Sequence, residues 1–160
     1  MKTPVAVATV FGNPIHFLAF GFGSGLAPVA PGTFGTLVGV PFFLFMVSLP
    51  LWSYLLLILA FFLFGVWICD RSSKLLGVHD HGGIVWDEIV GYLVTMIAAP
   101  EGWGWIVIGF ILFRIFDIFK PWPIAYLDRH VSGGFGIMID DILAGVYAML
   151  ILQLLNYYLV

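Results

Sequence analysis

The sequence predicts an all-α membrane protein: a compact bundle of about five transmembrane or partly re-entrant helices with a Gly/Pro-rich N-terminal loop. Three observations carry this expectation. Hydrophobic residues make up 62% of 160 positions and charged ones only 9%, more apolar surface than a soluble domain of this size can hide. Residues 3–69 contain no Asp, Glu, Lys or Arg. The charges that follow gather in short polar stretches between apolar runs, so their placement matters more than the formal net charge of -3.

The elements follow in chain order. "MKTPVAVATVFG" has one Lys and an A-x-A at residues 6–8, but its apolar stretch is too short for a secretory signal and holds Pro4, so it is read as mature protein. "GFGSGLAPVAPGTFGTLVG", residues 21–39, is too rich in Gly and Pro for a membrane helix. Irregular backbone at membrane depth survives only where protein or a watery cavity satisfies it. Residues 36–49 and 51–69 then form two apolar runs, with Pro50 as a tight outer turn. After "DRSSKLLGVHDHGG" come runs 89–99, 103–113 and 142–160. The first two of these are each about 16 Å long, so to reach across roughly 30 Å of hydrocarbon they must borrow Asp87, Glu88, Arg114 and Asp117. They either span or re-enter as a hairpin.

With "APEGWG" as the turn of that hairpin, the polar loops 70–83 and 120–136 share one side of the membrane. Their Arg71, Lys74, Lys120 and Arg129 make it the cytoplasmic side, and Lys2 joins them. Glu101 falls outside. The chain is read as a single integral-membrane domain, residues 1–160. One cysteine, Cys69, excludes an intramolecular disulfide and is read as packing.

Two words echo one another: "WDEIVGY" and "DDILAGVY" both place paired acids ahead of a glycine. Asp87 and Gly91, like Asp141 and Gly145, are one helical turn apart and share a face, and glycine lets helices approach closely. The carboxylates of Asp87, Glu88, Asp117, Asp140 and Asp141, with Asp80 in the loop between, are thereby expected near one membrane face. Such a cluster suits a hard divalent cation such as Mg²⁺, whereas without one the carboxylates would repel. Acids at helix starts also complement the helix dipole, which explains any one of them but not five in three helices.

Basic partners point to an anionic substrate. In "FRIFDIFKPWP", Arg114, Asp117 and Lys120 recur every third residue along one slanted helix face, and Pro121 stops the helix so that Lys120 sits at its rim. Arg114, Lys120 and Arg129 can bind phosphate, the first as a fork and Lys120 as a point charge. An Arg114–Asp117 ion pair with Lys120 snorkelling to the headgroups is the plainer alternative. In the opening loop, the segment holding Gly21, Gly23, Gly25, Gly32 and Gly35 can turn its backbone N–H groups toward a phosphate, and with the Thr33 and Thr36 hydroxyls beside a helix start it is read as one wall of a phosphate cleft, although no Walker pattern is present.

In this order, "GFGSGLAPVAPGTFGT", "GVHDHGGIVWDEIVG", "FRIFDIFKPWPI" and "GGFGIMIDDILAG" resemble the bacterial phosphatidylglycerophosphatase A family over nearly the whole chain. The resemblance implies a Mg²⁺-dependent, multi-pass inner-membrane phosphatase that removes the terminal phosphate of phosphatidylglycerophosphate. Independently, Cys69 starts no C-x5-R motif and no D-x-D pair occurs, which leaves metal-activated water attacking phosphorus in line. Catalytic roles are expected for Asp87, Asp141 and Asp80, with His79 and His81 shuttling a proton, binding phosphate or merely solvated. A phospholipid in the bilayer is the expected partner, at a site facing the cytoplasm. Nucleic acid is not expected, and association into a homo-oligomer stays open. A small cation or solute transporter is the alternative, but its site would lie near the midplane. A CDP-alcohol transferase needs a longer series of glycine-interleaved aspartates.

Overall fold

A computed structural model describes residues 4–159. Lys2, Thr3 and Val160, which the sequence reading included, lie outside the described residues. Helices α1 (Val7–Phe11) and α2 (Pro14–Ala19) lead through a 3-10 turn, Ser24–Leu26, to α3 (Pro31–Met46) and α4 (Leu51–Leu76). Then come α5 (Trp86–Thr95), α6 (Trp103–Phe119), α7 (Ile124–His130) and α8 (Gly133–Leu159). Among the described residues there is no strand, as expected.

The shortest of the five main helices is the centre. α5 has 10 residues, and all of residues 86–96 except Glu88 are buried, which is why this helix is apolar on every side but its first turn. It packs chiefly on α8 and α3, with α4 and α6 completing the ring. Ending at about 15 Å of length, it leaves carbonyls that would be orphaned at membrane depth. Neighbouring helices satisfy them: the Tyr54 hydroxyl donates to Leu93 O at 2.7 Å, and the Gln153 amide donates to Ile97 O and Ala98 O at 3.1 and 2.8 Å.

Glycine sets the α5–α8 crossing. A Cβ at Gly91 would lie 2.8 Å from Asp141 O, and one at Gly145 would strike the Gly91 carbonyl, so the two backbones touch where the echoing words place their glycines.

Helix ends depart from the apolar runs. α4 continues through the polar residues 70–76, because Ser72 and Ser73 are buried and bond to His16 and Val78 O, each at 2.8 Å. α8 starts at Gly133 rather than near residue 140. A Cβ at Gly134 would strike Val66 O of α4, so this glycine marks a close crossing instead of a loop. α3 starts at Pro31, which confines the irregular Gly/Pro segment to residues 20–30. The breaks at Pro50 and Lys120–Pro121 fall where expected.

Two helices, α4 and α8, are long and apolar enough to cross a membrane, while α3 and α6 are shorter at 16 and 17 residues. Exposed apolar side chains cover the bundle: Leu56, Leu59 and Leu63 on α4, Val107, Ile111 and Ile115 on α6, and Leu150 and Leu154 on α8. A band that large belongs in lipid, which makes this a membrane-associated protein.

Gly145→Val should lower the Tm of the purified protein, since forcing α8 off α5 costs about 1–3 kcal/mol or more. Gly104→Ala, where a Cβ meets nothing within 4 Å, should leave it unchanged or slightly raised.

Candidate active site

The glycine crossing carries the acids with it. Asp87 and Glu88 stand in the first turn of α5, and Asp141 lies two turns into α8, one turn above Gly145. One ligand oxygen from each of the three lies within 4.8 Å of the others. Asp140 and Asp141 do not begin a helix as expected, so the dipole of α8 does not account for them.

Around this triad opens a cleft of about 220 Å³, lined from α3 by Gly32, from α6 by Arg114 and Asp117, from α8 by Asp140 and Asp141, and from the intervening loop by Asp80. Lys120 closes the rim. Six carboxylates of the nine in the chain face two cations here, so local charge is far from balanced. Asp87 Oδ1, Glu88 Oε2, Asp140 Oδ1 and Asp141 Oδ2 are buried with no hydrogen-bond partner among the described residues. Buried oxygens of this kind are costly unless something cationic satisfies them. The donor set, all carboxylate oxygen, fits a hard divalent cation.

Both cations are anchored. Arg114 forms an ion pair with Asp117 one turn on, and its Nε is buried without a partner among the described residues. Lys120, in the left-handed conformation that ends α6, places its ammonium 2.8 Å from Asp128 and 2.6 Å from Asp140. Burial works against its charge, but the Asp140 carboxylate and the two hydrogen bonds outweigh it and hold the ammonium above its ordinary pKa. Its two ion pairs, to Asp128 and Asp140, hold the ammonium at the cleft rim. Asp128 was missed by the sequence reading; it stands eight residues beyond Lys120 across the α6–α7 turn, a separation with no helical periodicity to reveal it.

The opening glycines do something other than cradle phosphate. Their N–H groups close turns instead: those of Gly23 and Gly25 donate to Phe20 O at 3.1 and 2.9 Å, and that of Gly21 to Leu18 O at 2.9 Å. A Cβ at Gly25 would strike Gly83 O, one at Gly35 would lie 2.9 Å from Val85 Cγ2, and the Val85 N–H donates to Ala19 O at 2.9 Å. The glycines thus let this segment seat the strap 83–85 that leads directly into Asp87. Of its residues named earlier, Gly32 does line the cleft; a Cβ there would strike Glu88 and stand 3.0 Å from the Arg114 guanidinium. Thr33 is not among the lining residues, and its N–H is spent on Ala30 O at 2.9 Å. The Thr36 hydroxyl donates to Gly32 O at 2.8 Å.

Three more expected site residues lie elsewhere. His79 Nε2 accepts the Gly133 N–H at 3.1 Å, which ties the loop to the start of α8. His81 accepts the Gly83 N–H at 3.0 Å and stacks on Phe20, facing a neighbouring hollow. Arg129 is exposed on α7 outside the cleft lining.

Residues 17–156 match the family model described as phosphatidylglycerophosphatase A. The chain is 50% identical over 147 residues to the Escherichia coli (strain K12) phosphatidylglycerophosphatase A, covering 91% of this chain and 86% of that one. It is 48% identical over 149 residues to the Haemophilus influenzae protein of the same name, covering 92% and 91%. A Bacteroides thetaiotaomicron protein, provisionally named a phosphatidylinositol-3-phosphatase, is 35% identical over 165 residues and 98% of both chains. No solved structure matches significantly.

Asp87→Asn and Asp141→Asn should each lower lipid phosphatase kcat/KM by more than about 100-fold, with the helical CD spectrum kept. Gly32→Val should also impair turnover by displacing Glu88 and Arg114, while Thr33→Val should leave kcat/KM within about twofold of wild type.

Proposed function

This chain belongs to the phosphatidylglycerophosphatase A family, and on that premise we propose that it hydrolyses the terminal phosphate monoester of phosphatidylglycerophosphate, giving phosphatidylglycerol and inorganic phosphate, with Mg²⁺ as cofactor. One observation carries the reading: the buried triad Asp87, Glu88 and Asp141, with oxygens lacking partners, shares one cleft with Arg114 and Lys120.

Asp87, Glu88 and Asp141 would hold the cation, with Asp117 and Asp140 beside them. When bound, Mg²⁺ supplies positive charge to phosphoryl oxygens and lowers the pKa of water. The remaining work falls to the chain. Arg114 offers a planar fork to the phosphoryl oxygens, and Lys120 adds a point charge at the rim. Asp80, on the loop side of the cleft, accepts the proton of the attacking water. As the water oxygen bonds to phosphorus, the bond from phosphorus to the glycerol oxygen breaks; that oxygen takes a proton from solvent water and leaves as the lipid alcohol, and Asp80 returns its proton to solvent.

The same placement supports a topology. α3, α5 and α8 start toward the cleft while α4 and α6 end there, so a five-pass bundle puts it at one membrane face, where the phosphate of a lipid lies. Arg71, Lys74, Lys120 and Arg129 at that end make it the cytoplasmic face of the bacterial inner membrane.

Purified protein given phosphatidylglycerophosphate in detergent should release phosphate only with Mg²⁺, lose activity in EDTA and regain it on Mg²⁺ addition. Full activity after thorough metal stripping, or no release from this lipid under any condition, would overturn the proposal.

A further inference from the structure

Phosphatidylglycerophosphate carries two acyl chains as well as a phosphate, and the bundle surface has a place for one of them. Between α3 and α6 runs a groove of about 250 Å³ whose lining is wholly apolar: Leu37 and Val40 on one side, Trp103, Val107 and Phe110 on the other, and Ile106 as its floor. It exists because α3 leans on α5 and α6 on α8, so these two helices touch each other little. Past Trp103 and Ile106 it runs into a second hollow of about 350 Å³ beside Phe43 and Leu44.

Register connects the groove to the cleft. Trp103, Val107, Phe110 and Arg114 are spaced four, three and four residues apart, one continuous stripe of α6 that ends on the guanidinium lining the cleft. Opposite it, Gly32 stands in the first turn of α3, where an added Cβ would lie 3.0 Å from the Arg114 guanidinium, and Leu37 and Val40 follow along the same helix. From Arg114 to Trp103 the stripe covers about 16 Å, close to half of the roughly 30 Å hydrocarbon core, the depth that one acyl chain occupies in its leaflet. A cationic fork at the head of an apolar channel one leaflet deep is complementary to a lipid phosphate with its chain attached.

Resting on the phosphatase reading above, we infer that the α3–α6 groove holds one acyl chain of the lipid substrate, and that the seam between Gly32 and Arg114 is where the headgroup passes from the bilayer into the cleft. Ordinary membrane lipid also wets any groove, so the decisive feature is linkage to the headgroup.

Leu37→Trp and Val107→Trp fill the groove without touching the cleft. They should raise KM for diacyl phosphatidylglycerophosphate roughly tenfold, and leave kcat/KM unchanged for the deacylated compound, which has the same phosphate and glycerol but no chains. In the wild-type protein, a phosphatidylglycerophosphate with a diazirine midway along one chain should label α3 and α6 peptides of the groove. Excess unlabelled substrate should remove that labelling, and phosphatidylcholine should not. Equal kinetics of variants and wild type on the diacyl lipid, equal losses on both compounds, or labelling erased equally by phosphatidylcholine would each overturn the inference. Absence of phosphate release by the wild type would instead defeat the phosphatase reading, and the photolabelling still judges the groove.

Discussion

Six carboxylates and two cations share one cleft among packed helices, an imbalance of charge that is costly unless something compensates it. Like charges at this spacing in a medium of low dielectric repel strongly, and each unsatisfied oxygen adds its desolvation penalty. The rest of the molecule is arranged around tolerating that arrangement. Gly91 and Gly145 bring α5 and α8 into backbone contact, which is what sets Asp87 and Asp141 against each other; larger residues at those positions would part the helices and the acids together. Lys120 and Arg114 offset part of the charge, and the uncompensated remainder is what a divalent cation would neutralise.

The same constraint explains the odd proportions of the bundle. α5 must begin at the depth of the cleft, so it is short and wholly enclosed, and residues from α4 and α8 cap its early end. Its starting point is held by the strap 83–85, which the glycine-rich segment grips backbone to backbone. The apolar exterior suits lipid, and under the proposed topology this polar cleft lies at the end of that body, next to the headgroups of its proposed substrate.

Much of this was legible in the sequence, for reasons that differ by residue. Paired acids one turn from a glycine announce a close helix crossing, and Arg114, Asp117 and Lys120 share a face by simple periodicity, so these found one another in the fold. The glycines misled in two places. Gly23 and Gly25 read as a phosphate cradle, yet their N–H groups close local turns; Gly133, Gly134 and Gly136 read as loop, yet they open α8, where Gly134 is pressed against the α4 backbone. Glycine signals close approach in either case, and sequence alone does not tell whether a ligand or another backbone approaches. His79, His81 and Arg129 had the right chemistry beside the right acid, but adjacency in a loop does not dictate direction. Asp128 had no periodic relation to Lys120, and only the turn at Pro121 brings it near.

A thermal titration with Mg²⁺ tests the dependence of this cleft on a cation most directly. Binding to the folded state raises stability by RT ln(1 + [L]/Kd), about 2.7 kcal/mol at one hundred times Kd. The wild-type Tm should therefore climb with Mg²⁺ concentration, whereas Asp141→Asn should start at an equal or higher Tm without metal, relieved of one repelling charge, and stay flat. Equal Mg²⁺ dependence in the two proteins, or none in the wild type, would contradict the central role given to the Asp87–Glu88–Asp141 triad.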